Sequence, residues 1–241
     1  QRGVPASKPH VCACSAFCTL FVLMSTSPLK TNHDQDKKEN LTYKTTSENY
    51  IARYNGPLPT EMTKDQKAIH DDIVKSRPRT GISGPFGPWL AVPVIAQPSQ
   101  ELGRACRYGT SLTKKESEMV ILLTGAKTKS HTEFDLHTGE ALLAGLSMNF
   151  IKAIPRDKEF SLERVKNDLL PLLEEERDLA IASFTAELLD TFTVSESTYA
   201  ATKAAVNGKE SVLVEITSIV GYYTYVAFTL NVFNIPSVLP K

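Results

Sequence analysis

Three side chains capable of acid/base chemistry recur at helical spacing near the middle of the chain. Glu133, His137 and Glu140 occupy positions i, i+4 and i+7, so one face of a helix would carry an imidazole with two carboxylates. A carboxylate beside a histidine fixes the tautomer of the ring and raises its basicity. Glu118 joins this group if its own helix packs antiparallel against theirs. If the face points inward, the pattern predicts proton-transfer chemistry.

The elements that must position these residues form a predicted helical hairpin over residues 116–148. The first helix follows an acidic turn, and Gly145 ends the second helix. Residues 127–130 between them are polar and favour a turn, so we expect this turn to lie on the surface. The apolar positions of the two helices are Met119, Val120, Leu122, Leu123, Phe134, Leu136, Ala141, Leu142 and Leu143.

The same residues also allow a purely structural interpretation. His137 would then be a core or interface histidine bonded to Glu118, and Glu133 a solvated partner one turn away. A metal site built from His131, Glu133 and His137 is disfavoured, because positions i, i+2 and i+6 do not share a helix face. We therefore predict no metal.

An ordered series of short patterns extends from this hairpin in both directions. Its core reads Glu118-x-x-Ile121-Leu122, then Glu133-Phe134-x-x-His137, then Ala141-x-x-Ala144-Gly145-Leu146. Segments 84–89 and 107–112 upstream, and 187–188, 214–216, 221–223 and 230–231 downstream, continue it. The series resembles the carboxymuconolactone decarboxylase family and its relative alkylhydroperoxidase D, over about residues 51–236.

The resemblance implies an all-α protomer with an alkylhydroperoxidase D-like helical bundle. It also implies a homotrimer or homohexamer with sites near subunit contacts. The alkylhydroperoxidase branch uses a C-x-x-C pair ahead of the histidine, but here those positions hold Ser130 and Glu133. Without two thiols there is no dithiol reduction of peroxides, so we predict no hydroperoxide reductase activity.

The decarboxylase branch requires neither cysteine nor cofactor, and we predict none. Loss of carbon dioxide from a carboxylated lactone leaves a dienolate-like oxygen to stabilise and a carbon to protonate. His137 would be the proton donor or the oxyanion partner, with Glu118 or Glu133 orienting it, so these three are the predicted catalytic residues of a carbon–carbon lyase. The predicted substrate pocket comprises Phe86, Trp89, Phe134, Tyr223 and Asn231.

Two alternatives remain beside the decarboxylase. One is an isomerase or cyclase of a secondary pathway, in which the pocket shapes a reactive substrate. The other is an oligomeric binding protein without catalysis, which we would favour if the helix pair showed no cavity.

Composition narrows the possible partners. The 241 residues carry 27 Lys and Arg against 27 Asp and Glu, a formal net charge of zero. A nucleic acid or an anionic membrane surface needs a clustered basic face, so we expect a small-molecule substrate and neither of these partners. The apolar stretch 211–233 is interrupted by Glu215, Thr217, Ser218, Thr224, Thr229 and Asn231, which favours a core or interface helix over a membrane span.

The chain divides into a predicted flexible arm over residues 1–50 and a helical domain over 51–241. The first residues resemble a secretory signal up to residue 27, but we favour a true start at Met24 and therefore predict a cytoplasmic protein, with secretion as the alternative. Three of the four cysteines, Cys12, Cys14 and Cys18, lie in the arm without a second ligand pair at metal-binding spacing. Cys106 is the only thiol of the domain.

The remaining domain sequence predicts further helices and no strand. A capping box at residues 63–66 opens a helix that ends before Pro78, and residues 79–88 are too rich in glycine and proline for regular structure. A helix over 93–108 should turn Ile95, Leu102 and Ala105 inward. Further helices are expected over 162–173, interrupted at Pro171, and over 177–191, 195–207 and 211–233.

Overall fold

The computed structural model describes residues 52–78 and 80–237, which belong to one compact unit. This part of the chain contains helices only, so the all-α prediction is confirmed. The predictions for the arm, its signal-like segment and its three cysteines fall outside the described residues. The α-helices are α1 (Lys64–Ser76), α2 (Phe86–Leu90), α3 (Pro93–Tyr108), α4 (Lys114–Lys127), α5 (His131–Leu143), α6 (Met148–Ala153), α7 (Leu162–Asp168), α8 (Glu176–Thr191), α9 (Glu196–Ala205) and α10 (Glu210–Phe233), with a 3₁₀ helix at Leu170–Leu172.

Capping boxes fix the first residues of α1 and α4. Thr63 accepts a hydrogen bond from the backbone N–H of Gln66, and the Gln66 side chain accepts one from the backbone N–H of Thr63. Thr113 and Glu116 repeat the arrangement at α4. Each pair satisfies two backbone donors that a helix start leaves without a partner.

Helix α4 is the centre of the fold. Residues 116–126 are all buried, because α5, α8 and α10 pack around this helix. A helix that is apolar around most of its circumference has to be enclosed in this way. Any polar side chain on α4 therefore needs a partner from a neighbouring helix.

Helix α3 has the predicted bounds, but the face that it turns toward the core is not the predicted one. Ile95 and Leu102 are 46% and 49% exposed, and Ala105 is exposed as well, so the predicted inward face was wrong. The buried residues are instead Ala96, Gln100, Gly103 and Cys106. Burial of Gln100 is compensated because its side chain and carbonyl oxygens accept hydrogen bonds from Arg77, and its amide donates to Asp72.

The predicted loop over residues 79–88 is shorter than expected, because α2 begins at Phe86. Pro88 lies in the first turn of this helix, where a missing N–H costs no intrahelical bond. Trp89 of α2 stacks on Tyr225 of α10 with ring centroids 4.7 Å apart. Helix α2 thus packs against α10 through an aromatic contact.

Gly103 should be required for the contact between α3 and α10. A Cβ atom at this position would lie 2.1 Å from the hydroxyl oxygen of Tyr222, whose ring is held between Trp89 and Tyr223. We expect Gly103→Ala to lower the free energy of unfolding by about 1–3 kcal/mol through overpacking. Gly139→Ala is the matched control in urea unfolding, because nothing lies within 4 Å of its Cβ position; it should stabilise by up to about 1 kcal/mol. Equal effects of the two substitutions would contradict the close contact.

The end of α10 and the residues after it are hydrogen-bonded to the connection between α4 and α5. The Asn231 side-chain amide donates to the Thr128 carbonyl at 2.9 Å, and the Thr132 hydroxyl donates to the Ile235 carbonyl at 2.7 Å. Ser130 of this turn is buried, so the expectation that the whole turn would be exposed was wrong. We call Asn231, Ile235 and their two partners the C-terminal clasp.

Within the described residues, α10 alone is long and apolar enough to cross a membrane. Of its most apolar 18-residue window, 56% is buried inside the protein. A core helix of a globular protein meets the same length and composition criterion. The helix therefore gives no firm sign of membrane insertion.

Candidate functional site

Helices α4 and α5 run antiparallel and bring the three predicted acid/base residues together. Oε2 of Glu118 lies 2.6 Å from Nδ1 of His137, and Oε1 of Glu133 lies 3.1 Å from Nε2 of the same ring. The side chains of His137, Glu118 and Glu133 are 7%, 2% and 4% exposed. The imidazole is therefore held, away from bulk water, between two carboxylates, one on each nitrogen. We call these three residues the proton cluster.

The two carboxylates reach the ring for different local reasons. Glu133 and His137 are one turn apart on α5, where side chains at i and i+4 meet. Glu118 comes from the facing helix, so its contact depends on the hairpin and on the burial of α4 on all sides. The ring edge of Tyr223 from α10 packs against His137 with centroids 5.2 Å apart.

Electrostatics keep the His137 ring protonated at neutral pH. Burial by itself lowers the pKa of His137, but the attraction of Glu133 and the hydrogen bonds to Glu118 and Glu133 outweigh it and raise the pKa to about 9. Both ring nitrogens then carry a proton, and each can donate to a carboxylate. The arrangement holds a proton that can be transferred to either neighbour.

Two cations and a third carboxylate surround the proton cluster. Nη1 of Arg107, on α3, lies 3.5 Å from Nε2 of His137. Nζ of Lys114 lies 3.7 Å from Oε1 of Glu118. Both cations also meet Oε2 of Glu140, at 3.6 Å from Nη2 of Arg107 and 3.1 Å from Nζ of Lys114. The six side chains comprise three acids and three bases and have no net charge when His137 is protonated.

A cavity of about 210 Å³ opens beside this group. Of the three residues in the proton cluster, Glu118 lines the cavity, whereas His137 and Glu133 do not; His137 contacts Glu118 directly, and Glu133 contacts His137. The wall combines charged, hydroxyl and apolar groups from α3, α4 and the connection between them. Its residues are Arg107, Tyr108, Thr110, Leu112, Lys114, Ser117, Glu118 and Ile121.

The five residues of the predicted substrate pocket lie elsewhere. Phe86 packs edge-on against Trp89, which packs against the tyrosines of α10, and the Trp89 indole donates to the Thr229 hydroxyl at 3.0 Å. Phe134 is 1% exposed in the core, Tyr223 touches His137, and Asn231 belongs to the C-terminal clasp. None of the five lines the cavity at Glu118, and their role in substrate binding stays a prediction.

The residues at the positions of the absent dithiol have separate environments. Glu133 belongs to the proton cluster, whereas Ser130 precedes the first residue of α5. The neighbouring His131 is directed to Arg156 and Asp157, at 3.0 and 3.7 Å, and not to His137. Across the part of the chain that the structure describes, no group of three or more His, Cys, Asp or Glu side chains is arranged to hold a metal ion.

Arg107 and Lys114 were not among the site residues predicted from the sequence. A signal was present, since Lys114 stands four residues before Glu118 on the same helix face and Arg107 belongs to the 107–112 segment of the pattern series. Together with Glu118 these cations can bind a polar ligand and exchange a proton with it. No protein-family model matches this chain, and no curated protein matches its sequence.

Proposed function

We propose that this protein is a cofactor-free lyase that decarboxylates a small carboxylated, lactone-type substrate by acid/base catalysis. The observation that carries the proposal is the buried line from Glu133 through His137 to Glu118, which ends at the wall of a cavity. Membership of the carboxymuconolactone decarboxylase-like group, with an alkylhydroperoxidase D-like bundle, is part of the proposal and rests on the ordered patterns around these residues.

Each residue has a role in the proposed reaction. The bond between the substrate and its carboxyl carbon breaks, carbon dioxide leaves, and the electron pair moves into the lactone carbonyl. Arg107 and Lys114 in the cavity wall first bind the negatively charged substrate and then stabilise the oxyanion that develops as carbon dioxide leaves. The negative charge that the substrate brings into the cavity raises the proton affinity of Glu118, and His137 passes its proton to that carboxylate.

The second half of the reaction returns a proton to carbon. Glu118 protonates the dienolate, and the imidazole, left neutral, regains a proton from solvent water. One proton is consumed and one carbon dioxide is released in each turnover. Leu112 and Ile121 give the cavity an apolar wall, beside which a carboxylate is less stable than neutral carbon dioxide.

The decisive experiment measures carbon dioxide release from a panel of carboxylated lactones. We expect Glu118→Gln to lower kcat by about 10²-fold, because the amide keeps the shape of the side chain but cannot transfer the proton. Glu174→Gln, at an exposed position outside the site, is the control for the change in net charge. An unchanged rate in Glu118→Gln would remove this residue from the mechanism.

The same experiment separates the alternatives. An isomerase or cyclase would give a product of unchanged mass without carbon dioxide, and still depend on Glu118. A binding protein would hold the lactones without converting them.

We also propose the homotrimer or homohexamer that the resemblance implies, and the cytoplasmic location that a start at Met24 implies. Light scattering of the purified protein would test the assembly. A monomer that turns over at full rate would show that the site is complete in one chain.

A further inference from the structure

Glu140 places a carboxylate on both cations of the cavity wall. Its Oε2 atom lies 3.1 Å from Nζ of Lys114 and 3.6 Å from Nη2 of Arg107, and its side chain is 15% exposed. Both cations line the cavity, whereas Glu140 does not. The protein's own carboxylate, outside the cavity, therefore competes for the two cations that would attract the carboxylate of a ligand.

The charge balance of the site makes this arrangement consequential. Glu118, Glu133 and Glu140 match Arg107, Lys114 and protonated His137. An anion that enters the cavity adds one negative charge to a neutral, largely buried group, where attraction and repulsion are only weakly screened. Such an anion can form a full ion pair with one of the cations only if an internal carboxylate first releases that cation.

Glu140 is the internal carboxylate best placed to do so. Glu118 and Glu133 are 2% and 4% exposed and are bonded to the His137 ring, so moving either would disrupt the proton cluster. Glu140 is the most exposed of the three, and Lys114, at 49%, is the most exposed of the cations. Exchange of partners on Lys114 thus costs the least rearrangement.

We propose that Glu140 is a specificity-determining residue, an internal counterion that a ligand carboxylate has to displace from Lys114 and Arg107. This inference rests on the proposed function, in that it takes the cavity at Glu118 as the substrate site. The ligand class that it selects is an organic carboxylate able to bind both cations. Anions that bind weakly, or that contact only one of the two cations, do not displace Glu140.

Calorimetric titration with benzoate and its neutral analogue benzamide tests the proposal. In Glu140→Gln, benzoate should bind at least about tenfold more tightly than in the unaltered protein, because the competing charge is gone. Benzamide affinity should stay within about twofold. Adding Lys114→Met to Glu140→Gln should abolish the gain, and Glu174→Gln should show none.

A second variant guards against loss of folding. Glu140→Asp keeps the charge but shortens the side chain, and it should increase benzoate affinity by less than Glu140→Gln does. The inference is overturned if Glu140→Gln does not tighten benzoate binding, if benzamide gains equally, or if benzoate binds none of these proteins. Failure of the proposed function would appear separately, as the absence of carbon dioxide release from every lactone of the panel by the unaltered protein.

Discussion

Replacing His137 by alanine is expected to abolish turnover and to lower the free energy of unfolding by about 3–5 kcal/mol. The substitution removes the positively charged ring that lies 2.6 Å from Glu118 and 3.1 Å from Glu133. Two buried carboxylates then lack the cation between them. Burial of an uncompensated charge is costly because the interior replaces none of the lost hydration. Urea unfolding followed by circular dichroism gives the stability, and carbon dioxide release gives the turnover.

A double substitution separates these two effects. Glu133→Gln in the His137→Ala background removes one of the stranded charges, so part of the lost stability should return. Turnover should not return, because the proton donor to Glu118 is still missing. If His137→Ala were as stable as the unaltered protein, the ring would not be the charge that holds these carboxylates together.

Raising the pH from 6 to 10 is expected to remove about 3 kcal/mol of stability that depends on His137. The pKa of this ring is about 9 in the folded protein, above the 6.5 of an unperturbed histidine. Because the folded-state pKa is the higher one, the contribution is complete below pH 6.5, declines above it, and is lost once the pH has risen through about 9. Deprotonation leaves Glu118 and Glu133 beside a neutral ring.

Comparison with His137→Gln isolates this effect from other titrating groups. The free energy of unfolding of both proteins is measured at intervals between pH 6 and pH 10. The difference between them should shrink as the pH rises, with the steepest part between pH 6.5 and 9. A difference that is constant over the whole range would mean that His137 is not protonated in the folded protein.

Much of the helical architecture follows from local sequence signals. The capping box at Thr63 and the stop at Gly145 mark helix ends through interactions within a few residues, so they could be predicted without knowledge of the fold. The capping box at Thr113 is equally local but was not predicted, and α4 begins two residues earlier than the expected hairpin. The pairing of Glu133 with His137 is equally local. The contact of His137 with Glu118 required one further assumption, an antiparallel hairpin with a short turn, and this prediction is confirmed.

The orientation of α3 and the cavity wall could not be predicted in the same way. The apolar character of Ile95 and Leu102 predicted that they would face the core, but both are exposed. Gly103 faces α10 instead, because the absence of a side chain there leaves room for Tyr222. Arg107 reaches the site from the same helix. Because the buried face of α3 was predicted wrongly, Arg107 was not recognised as a site residue. Partners from distant segments depend on how helices dock, which periodicity does not specify.

The C-terminal clasp makes the site dependent on residues far from it in sequence. Asn231 and Ile235 hold the turn that sets the alignment of α4 and α5, and this alignment brings Glu118 to within 2.6 Å of the His137 ring. Loss of these two contacts would leave every acid and base of the site in the chain but would loosen their spacing. The acid/base geometry of the site therefore depends on two hydrogen bonds made by residues that never approach the cavity.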